Sequence, residues 1–475
     1  MNILAVDQGT SSTKALVVGP DGAVLAAVEA PVQRRSRTDG GVEQDPEALW
    51  GSVLAAGRQA VTEAGVPIGA VGLANQGETV LAWDRASGNP LSAAISWQDR
   101  RSLPICEALR ERGEWLQAIT GLPLDPYFAA PKMRWLREHV TRGGVCTTSD
   151  AWLLHRLCGA YVTDAATASR TLLLDLDAVA WSHQAAALFG IDVDACPAIV
   201  GCATVIGETS VFGEPLPIAG LAVDQQAALF GEGCLAAGEA KCTYGTGAFL
   251  LATVGPAAQR STAGLVTCVA WQLDRDTTYC LDGQAYTVGA AVEWLRAVGL
   301  IDDARDLDRL GTAIPDRGGV VFIPALAGLA APFWRPTARG VFSGLSLATS
   351  RQQIIAAVID GIAAQVAWLA RAAAADLGRP LLRLRVDGGL TRSRLLMQTQ
   401  ADLLQAPVEV FPSPHATALG VAAFARLGAG VASTPEQAVG SWRAAETFEP
   451  GISADEADSR LQRWRRVADA TMDLP

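Results

Sequence analysis

The chain has 475 residues, half of them hydrophobic and 18% charged, which excludes a disordered protein and predicts two or more domains. The net charge of −11 argues against nucleic acid or an anionic membrane as a partner. Nine cysteines without a Cys-x-x-Cys pair, and four scattered histidines, favour neither a zinc site nor a disulfide framework. The sequence shows no signal-peptide pattern and no apolar stretch long enough to span a bilayer, so it predicts a cytoplasmic protein.

The first predicted elements are two strands, 2–6 and 14–18, around a turn at Gly9. Glycine lets another group approach the backbone closely, and the hydroxyls of Thr10 and Ser11 stand beside the exposed amides. Such a turn suits a phosphate. Asp7, at the strand end, is a candidate ligand for Mg²⁺, and Lys14 is a candidate phosphate contact. Taken alone, the turn is better explained as an ordinary hairpin with a capping aspartate.

The rest of the first half predicts helices between short strands. Asp45 and Pro46 have the residue types of an N-cap and a first helical position. A buried strand is expected at 71–75, where it runs into a polar loop, and a helix is expected at 149–157.

A second glycine turn, at Gly245 and Thr246, repeats the pattern of the first between two extended apolar runs. Two such turns, one in each half, suggest two similar domains that clamp a polyphosphate between them. This is the outline of an ATP-dependent transferase. It also shifts the interpretation of the first turn from a plain hairpin towards function.

The glycine-rich segment at 232–239 is the predicted junction between the halves, which gives domains 1–232 and 233–475. Strands mixed with amphipathic helices in both halves indicate an α/β protein. The further elements expected beyond the junction are helices at 288–300 and 352–377 and a strand at 382–386.

A third glycine turn, at Gly388 and Gly389, ends that last strand. A glycine pair before a helix allows a base or a ribose to rest against the backbone. A plain loop between a strand and a helix explains the pair almost equally well.

Asp224 stands at the end of an apolar strand and is the candidate catalytic base. Phosphoryl transfer to an alcohol needs a positioned group that accepts the hydroxyl proton. Gln225 beside it is placed to bind a second hydroxyl. Asp224 is also typical of a helix N-cap, which is compatible with the catalytic role.

Taken together, these motifs resemble the FGGY family of carbohydrate kinases, and within it the glycerol kinases. The resemblance extends from Asp7 to about Gly428, and it depends on the order and spacing of motifs that are weak singly. The matching stretches include Gly41-Val-Glu-Gln-Asp-Pro46, Asn75-Gln-Gly-Glu-Thr79, Trp97-Gln-Asp-Arg-Arg101, Gly121-Leu-Pro-Leu-Asp-Pro-Tyr-Phe128, Ala168-Ser-Arg-Thr-Leu172, Asp224-Gln-Gln226, Thr243-Tyr-Gly-Thr-Gly247, Val386-Asp-Gly-Gly389 and Gly340-Val-Phe-Ser-Gly-Leu345.

The resemblance implies an α/β fold of two actin-like (RNase H-like) domains, with ATP and Mg²⁺ in the cleft between them. It implies Asp224 as the base and Asp7 near Mg²⁺. The implied ATP site comprises Thr10, Ser11, Lys14, Gly245, Thr246, Gly289, Gly388, Gly389 and Ser393. The implied substrate site comprises Gly77, Glu78, Trp97, Tyr127, Asp224, Gln225 and Phe249. The implied partner is a small polyol or ketose, and a homodimer and a homotetramer both stay open.

One departure concerns Gly77, which stands where glycerol kinases carry an arginine. The loss of one buried hydrogen bond from a charged donor costs about 1.5–3 kcal/mol, enough to weaken glycerol binding roughly ten- to a hundredfold. The vacated volume would admit a larger molecule. We therefore hypothesise that the substrate is a tetritol, a tetrulose or a pentulose, and that restoring arginine improves the use of glycerol.

Two further departures concern regulation and the nucleotide. The loop that binds the inhibitor fructose bisphosphate in glycerol kinases is expected to be missing, because 207–217 leads almost directly to the strand before Asp224. Ser393 stands where the family often has an amide, which puts the nucleotide contacts there in question.

The leading hypothesis is an ATP-dependent polyol or ketose kinase. A xylulose or ribulose kinase, and glycerol kinase itself, are the alternatives within that class. An actin-like ATPase without sugar kinase activity is the alternative outside it, because a shared fold does not decide function. The predicted substrate residues argue against this last alternative, because a filament or chaperone ATPase has no need of them.

Overall fold

Strands of two large sheets form the framework of the protein, in a computed structural model that describes residues 1–311 and 318–472. Within these ranges the strands are, in chain order, β1 (Asn2–Gln8), β2 (Ser12–Val18), β3 (Val24–Pro31), β4 (Arg35–Ser36), β5 (Val42–Gln44), β6 (Ile68–Asn75), β7 (Val80–Trp83), β8 (Ala94–Ile95), β9 (Val145–Thr148), β10 (Val162–Asp164), β11 (Leu174–Asp175), β12 (Ala180–Trp181), β13 (Ala198–Val200), β14 (Gly207–Thr209), β15 (Leu216–Val223), β16 (Ala240–Tyr244), β17 (Ala248–Gly255), β18 (Val266–Leu273), β19 (Asp276–Ala285), β20 (Val321–Ile323), β21 (Val341–Ser343), β22 (Leu384–Asp387), β23 (Val408–Val410) and β24 (Glu446–Phe448).

Helices cover both sheets. In the described ranges they are α1 (Pro46–Ala64), α2 (Leu103–Ala108), α3 (Gly113–Thr120), α4 (Ala129–His139), α5 (Ser149–Cys158), α6 (Ala165–Ala168), α7 (His183–Leu188), α8 (Asp224–Gly231), α9 (Gly289–Ala297), α10 (Asp306–Gly311), α11 (Arg351–Leu377), α12 (Arg394–Leu404), α13 (Ala416–Gly428), α14 (Pro435–Val439) and α15 (Ala454–Met472). Short 3₁₀ turns lie at Arg110–Arg112, Val193–Ala195 and Gly389–Arg392.

The first large sheet has the strand order β14-β15-β6-β1-β2-β3. Strands β15, β6 and β1 are parallel, so their carboxyl ends meet at one edge. In this register Asp7 lies opposite Ala74, and Asn75 lies opposite Val223. The residues that follow these strands therefore come together at that edge.

The second large sheet repeats the first. Its order is β18-β19-β17-β16-β22-β23-β24, with β16, β22 and β23 parallel and an antiparallel strand at the far edge. The hairpin β16–β17 occupies the place that β1–β2 has in the first sheet. The expectation of two similar α/β halves, each with a glycine turn after its leading strand, is thus confirmed.

The local signals of the sequence are also found in the structure. The carboxylate of Asp45 accepts a hydrogen bond from the amide of Glu47 at 3.0 Å and caps α1. Helix α11 begins with a capping box between Ser350 and Gln353 and ends at Gly378 in the left-handed conformation.

Helix α11 is long and apolar enough, by length and composition, to cross a membrane, which the sequence analysis did not anticipate. Its most apolar window is 78% buried inside the protein. Its apolar character is accounted for by the hydrophobic core of the second half, in which residues from Ile355 to Ala373 take part.

Helix α13 belongs to the second half of the sequence but packs on β1, β6 and β15 of the first sheet. Glycines permit this close approach. A Cβ at Gly72 would lie 2.6 Å from the carbonyl oxygen of Val421, and a Cβ at Gly220 would lie 2.6 Å from the backbone nitrogen of Ala425. The division at 232/233 stays a prediction, and the packing of α13 shows that the chain returns to the first sheet after that point.

The segment before Asp224 is a tight hairpin, in which β14 and β15 pair directly and residues 210–215 connect them. We therefore expect fructose bisphosphate to leave the phosphotransfer activity unchanged. The measurement is ADP release in a titration with this sugar phosphate, and a dose-dependent loss of rate would contradict the expectation.

Candidate active site

A cavity of about 180 Å³ lies where the glycine turns of the two halves face each other. It brings together most of the residues that the sequence predicted for the site. Those lining it are Thr10, Ser11, Gly77, Glu78, Trp97, Tyr127, Asp224, Gln225, Gly245, Thr246 and Phe249. Four further lining residues were not predicted, namely Arg34, Gln98, Thr243 and Gly247.

The two glycine turns form opposite sides of this cavity. In the first, the amide of Gly9 donates to the carbonyl of Ser12 at 3.0 Å, and the indole of Trp97 donates to the hydroxyl of Thr10 at 2.9 Å. In the second, the amide of Gly245 donates to the carbonyl of Gly247 at 2.9 Å. Hydroxyls and backbone amides therefore border the cavity from both halves, which suits a chain of phosphates.

Gly289 and Gly388 hold the second turn in place. A Cβ at Gly289 would lie 2.5 Å from the carbonyl oxygen of Gly245. Gly388 has φ 97°, and a Cβ there would lie 2.4 Å from the carbonyl oxygen of Tyr244. Both glycines are required by packing, whereas a Cβ on Gly389 would meet no atom within 4 Å, so its face is open to a ligand.

Ser393 has a structural role at the start of α12. Its hydroxyl donates to the carboxylate of Asp308 and accepts from the amide of Leu396 at 3.2 Å, which caps α12. Its side chain is buried. Because the hydroxyl is engaged on both sides, the expected nucleotide contact by Ser393 finds no support in the geometry.

Three aspartates from the strand ends share the cleft. Burial, then the charges of Asp7 and Glu78, raises the pKa of Asp224 to about 7. Burial is also the largest cause that raises the pKa of Asp7 to about 6, where Lys14 opposes it and Asp387 adds to it. The pKa values of Asp7 and Asp224 are raised because each carboxyl is removed from water and lies near another negative charge.

This carboxylate set fits a magnesium ion. Among the described residues, Oδ1 of Asp387 is buried without a hydrogen-bond partner, and no group of three or more close acidic, histidine or cysteine ligands is present. Mg²⁺ keeps several waters and takes one or two carboxylates together with phosphate oxygens. Asp7, on the first turn, is the residue best placed to hold it.

Asp224 is not the N-cap of its helix. The N-cap of α8 is Val223, and Asp224 is the first helical residue, with its carboxylate accepting from the amide of Gln225 at 2.7 Å. Its other oxygen is left for a ligand in the cavity. The catalytic interpretation therefore does not compete with a capping role.

Gln225 is oriented by a buried lysine. The ammonium of Lys241 donates to Oε1 of Gln225 at 2.6 Å and to the hydroxyl of Thr243 at 2.7 Å. Because an ammonium only donates, the amide oxygen of Gln225 must face Lys241, and the amide nitrogen is the group available to the cavity.

Glu78 belongs to a buried network that sequence reasoning missed. Arg170 donates from Nε to Glu78 at 2.6 Å and from Nη1 to Asp282 at 2.7 Å, and all three side chains are at most 4% exposed. Burial raises the pKa of Glu78, although the guanidinium opposes this. The stretch Ala168-Ser-Arg-Thr-Leu172 matched the family, but nothing in the sequence indicated where its arginine would point.

Aromatic rings form the apolar wall of the cavity. The ring centroid of Trp97 lies 5.8 Å from that of Tyr127 and 6.0 Å from that of Phe249, both edge to face. These rings are placed to contact the carbon chain of a substrate, as the sequence suggested.

The space beside Gly77 is partly filled. A Cβ at this glycine would lie 2.9 Å from Cγ2 of Val223, which is 2% exposed at the end of β15. The expectation that a missing arginine leaves its whole volume to the substrate therefore needs correction. Val223 takes the room into which the first side-chain carbon at position 77 would project.

Two glycine turns and Asp224 meet in one cavity between two similar sheets, which is the arrangement of an actin-like, ATPase-type fold. Models of the FGGY family of carbohydrate kinases match residues 2–231 with the N-terminal domain and 240–429 with the C-terminal domain. The chain belongs to the FGGY family of carbohydrate kinases.

Similar proteins extend over the full length. A glycerol kinase of Myxococcus xanthus is 41% identical, with 98% of each chain covered. A structure of Plasmodium falciparum glycerol kinase with ADP has a TM-score of 0.92 at 29% identity, covering 100% of this chain and 99% of that one. A xylulose kinase structure from Rhodospirillum rubrum has a TM-score of 0.87 at 25% identity and 99% coverage of both chains. The protein is thus a glycerol kinase-like, ATP-dependent phosphotransferase that acts on an alcohol group of a polyol or sugar.

We expect Asp224→Asn to lower kcat by about a hundredfold to ten-thousandfold, the range for loss of a general base. The same variant should unfold at a higher temperature at pH 8. The pKa of Asp224 rises from 3.8 to about 7 in the folded protein, so the wild type loses stability as pH rises between these values, on the order of 4 kcal/mol.

Thermal melts at pH 4 and pH 8, without Mg²⁺ or ATP, check the second expectation, and single-turnover assays check the first. In the wild type, kcat should fall as the pH drops below about 7, because the base becomes protonated. An Asp224→Asn variant with undiminished turnover would refute the assignment of the base.

Proposed function

We propose that the protein transfers the γ-phosphate of ATP to a hydroxyl of a four- or five-carbon polyol or ketose, in preference to glycerol. The observation that carries this proposal is the composition of the cavity wall around Gly77. The predicted substrate residues line one cavity, but position 77 supplies no guanidinium fork to it, and Cγ2 of Val223 lies 2.9 Å from where a Cβ at Gly77 would stand.

The chain's own residues would perform the transfer as follows. Asp224 accepts the proton of the attacking hydroxyl, while Gln225 and the Glu78–Arg170 pair orient the neighbouring hydroxyls. The amides and hydroxyls of the turns at Thr10 and Thr246 hold the phosphates in line. A Mg²⁺ ion beside Asp7 would offset the charge of the phosphate oxygens.

Enclosure favours this reaction over hydrolysis. Trp97, Tyr127 and Phe249 form an apolar side of the cavity, which would keep water from the reacting groups there. We also propose that the enzyme works in the cytoplasm. This is in keeping with its net charge of −11.

The function is tested by ADP release from Mg²⁺-ATP with glycerol, erythritol, threitol, erythrulose, xylulose and ribulose. The highest kcat/KM should belong to a four- or five-carbon compound. If glycerol has the highest kcat/KM, the protein is a glycerol kinase that works with glycine at position 77. The relatives at about 41% identity make glycerol the reference compound. No turnover with any of the six would count against the polyol or ketose assignment.

Restoring the arginine should require a second change. Gly77→Arg/Val223→Ala is expected to raise kcat/KM for glycerol by about ten- to a hundredfold, the worth of one buried hydrogen bond from a charged donor. Gly77→Arg alone should gain less, because Cγ2 of Val223 lies 2.9 Å from the new Cβ. The measurement is steady-state kinetics with glycerol, and Val223→Ala alone is the matched control. If the double variant melts like the wild type and gains nothing, the account of specificity fails.

A further inference from the structure

Arg34 is a basic residue in the cavity wall that the mechanism does not use. It lies between β3 and β4, in a segment fixed to the first phosphate turn by a hydrogen bond from the amide of Val32 to the carbonyl of Ser11 at 2.8 Å. It lines the same cavity as Gly77 and Asp224. Among the described residues that line this cavity, it is the only lysine or arginine.

The partner of Arg34 is neutral. Its Nη1 donates to Oε1 of Gln98 at 2.8 Å, and within residues 1–311 and 318–472 no carboxylate lies at ion-pair distance from it. A guanidinium has five N–H donors, so four are left after this bond. Arg34 is an exposed residue that borders the cavity and makes one hydrogen bond to an amide, so its remaining donors are accessible to oxygen atoms of a ligand.

Gln98 connects this pair with a second cavity that adjoins the first. It lines the substrate cavity and also an adjoining cavity of about 420 Å³, and Trp97 and Thr246 are shared in the same way. Gly77 and Asp224 line only the smaller cavity. Gln98 therefore lies where the two spaces join, and Arg34, which lines only the smaller cavity, reaches this junction through its hydrogen bond to Gln98.

Two features of the cavity wall, the missing arginine at position 77 and the arginine at position 34, point to the same change in substrate specificity. The inner wall has no arginine at Gly77, and its place is partly taken by Val223. The same cavity has an arginine elsewhere in its wall, Arg34, whose partner Gln98 borders the larger cavity. A substrate that extends from the smaller cavity towards the larger one would bring its remote hydroxyls to this guanidinium.

We propose that Arg34, positioned by Gln98, is a specificity-determining residue that donates hydrogen bonds to the distal hydroxyl oxygens of the substrate. The ligand chemistry is a hydroxylated chain of four or five carbons, whose remote end extends from the small cavity towards the larger one. This inference rests on the proposed function and identifies the residue that would distinguish substrates by the length of their carbon chain.

The test compares the ratio of kcat/KM for erythritol, or the best five-carbon compound, to kcat/KM for glycerol. Arg34→Leu should lower this ratio by about tenfold or more, which is the effect of losing one hydrogen bond that a charged donor makes to the substrate. The KM for ATP should change less than twofold. Arg34→Lys, which keeps the charge but not the fork, should recover only part of the ratio.

Arg35→Leu is the matched control, since Arg35 is the exposed neighbour on β4 and does not line the cavity. It should leave the ratio unchanged. An equal loss for glycerol and the longer compounds, or a rise confined to the KM for ATP, would overturn the proposal, because Arg34 would then act on the phosphates or on the fold.

The proposed function and this inference fail in different ways. The ratio in the wild type tests the preference for a longer substrate, whereas the change of that ratio in Arg34→Leu tests the role of Arg34. If glycerol is the better substrate of the wild type and Arg34→Leu still lowers the ratio, only the first proposal is wrong.

Discussion

Arg170 joins the two halves of the molecule through a pair of buried ion pairs, to Glu78 after β6 and to Asp282 on β19. Burial of three charges is tolerated because both carboxylates bond the same guanidinium, and removal of one partner from such a network typically costs about 3–5 kcal/mol. The position of Glu78, and with it the polar side of the substrate cavity, depends on this contact. Since Asp282 comes from the second sheet, the cavity exists only when the halves are together.

The cleft holds more negative charge than the nearby basic groups offset. Burial is the largest cause that raises the pKa values of Asp7 and Asp224, and neighbouring carboxylates add to it, Asp387 at Asp7 and Asp7 at Asp224. A carboxylate with a pKa near neutrality suits the proposed base, and the same negative charge would attract a divalent cation with its phosphates. The backbone at Glu78 is also strained. Its φ of 56° is a conformation that has an energetic cost for residues other than glycine.

The proposed difference in substrate choice involves packing as well as the missing donor. Because residue 77 is a glycine, Val223 on the neighbouring strand has room for its side chain, and a Cβ at 77 would lie 2.9 Å from Cγ2 of Val223. A β-branched side chain has a stiff χ1 angle, so Val223 does not easily move aside. The pair would therefore have to change together, which is why a single residue in the sequence gives an incomplete account of specificity.

The sequence by itself determined the class of fold, the duplicated glycine turns and most of the residues that line the cavity, because these depend on local periodicity and on short motifs in a fixed order. Asp224 and Gln225 after the apolar strand, and Gly245 and Thr246 in the second turn, could be found in this way. The tertiary structure alone decided the contacts between residues distant in the chain: Arg170 with Asp282, Lys241 behind Gln225, Ser393 with Asp308 and Val223 against Gly77. It also decided that Arg34 faces the cavity. No local pattern encodes the direction of a long side chain across a cleft, because that direction is set by the packing of strands and helices brought together only in the folded protein.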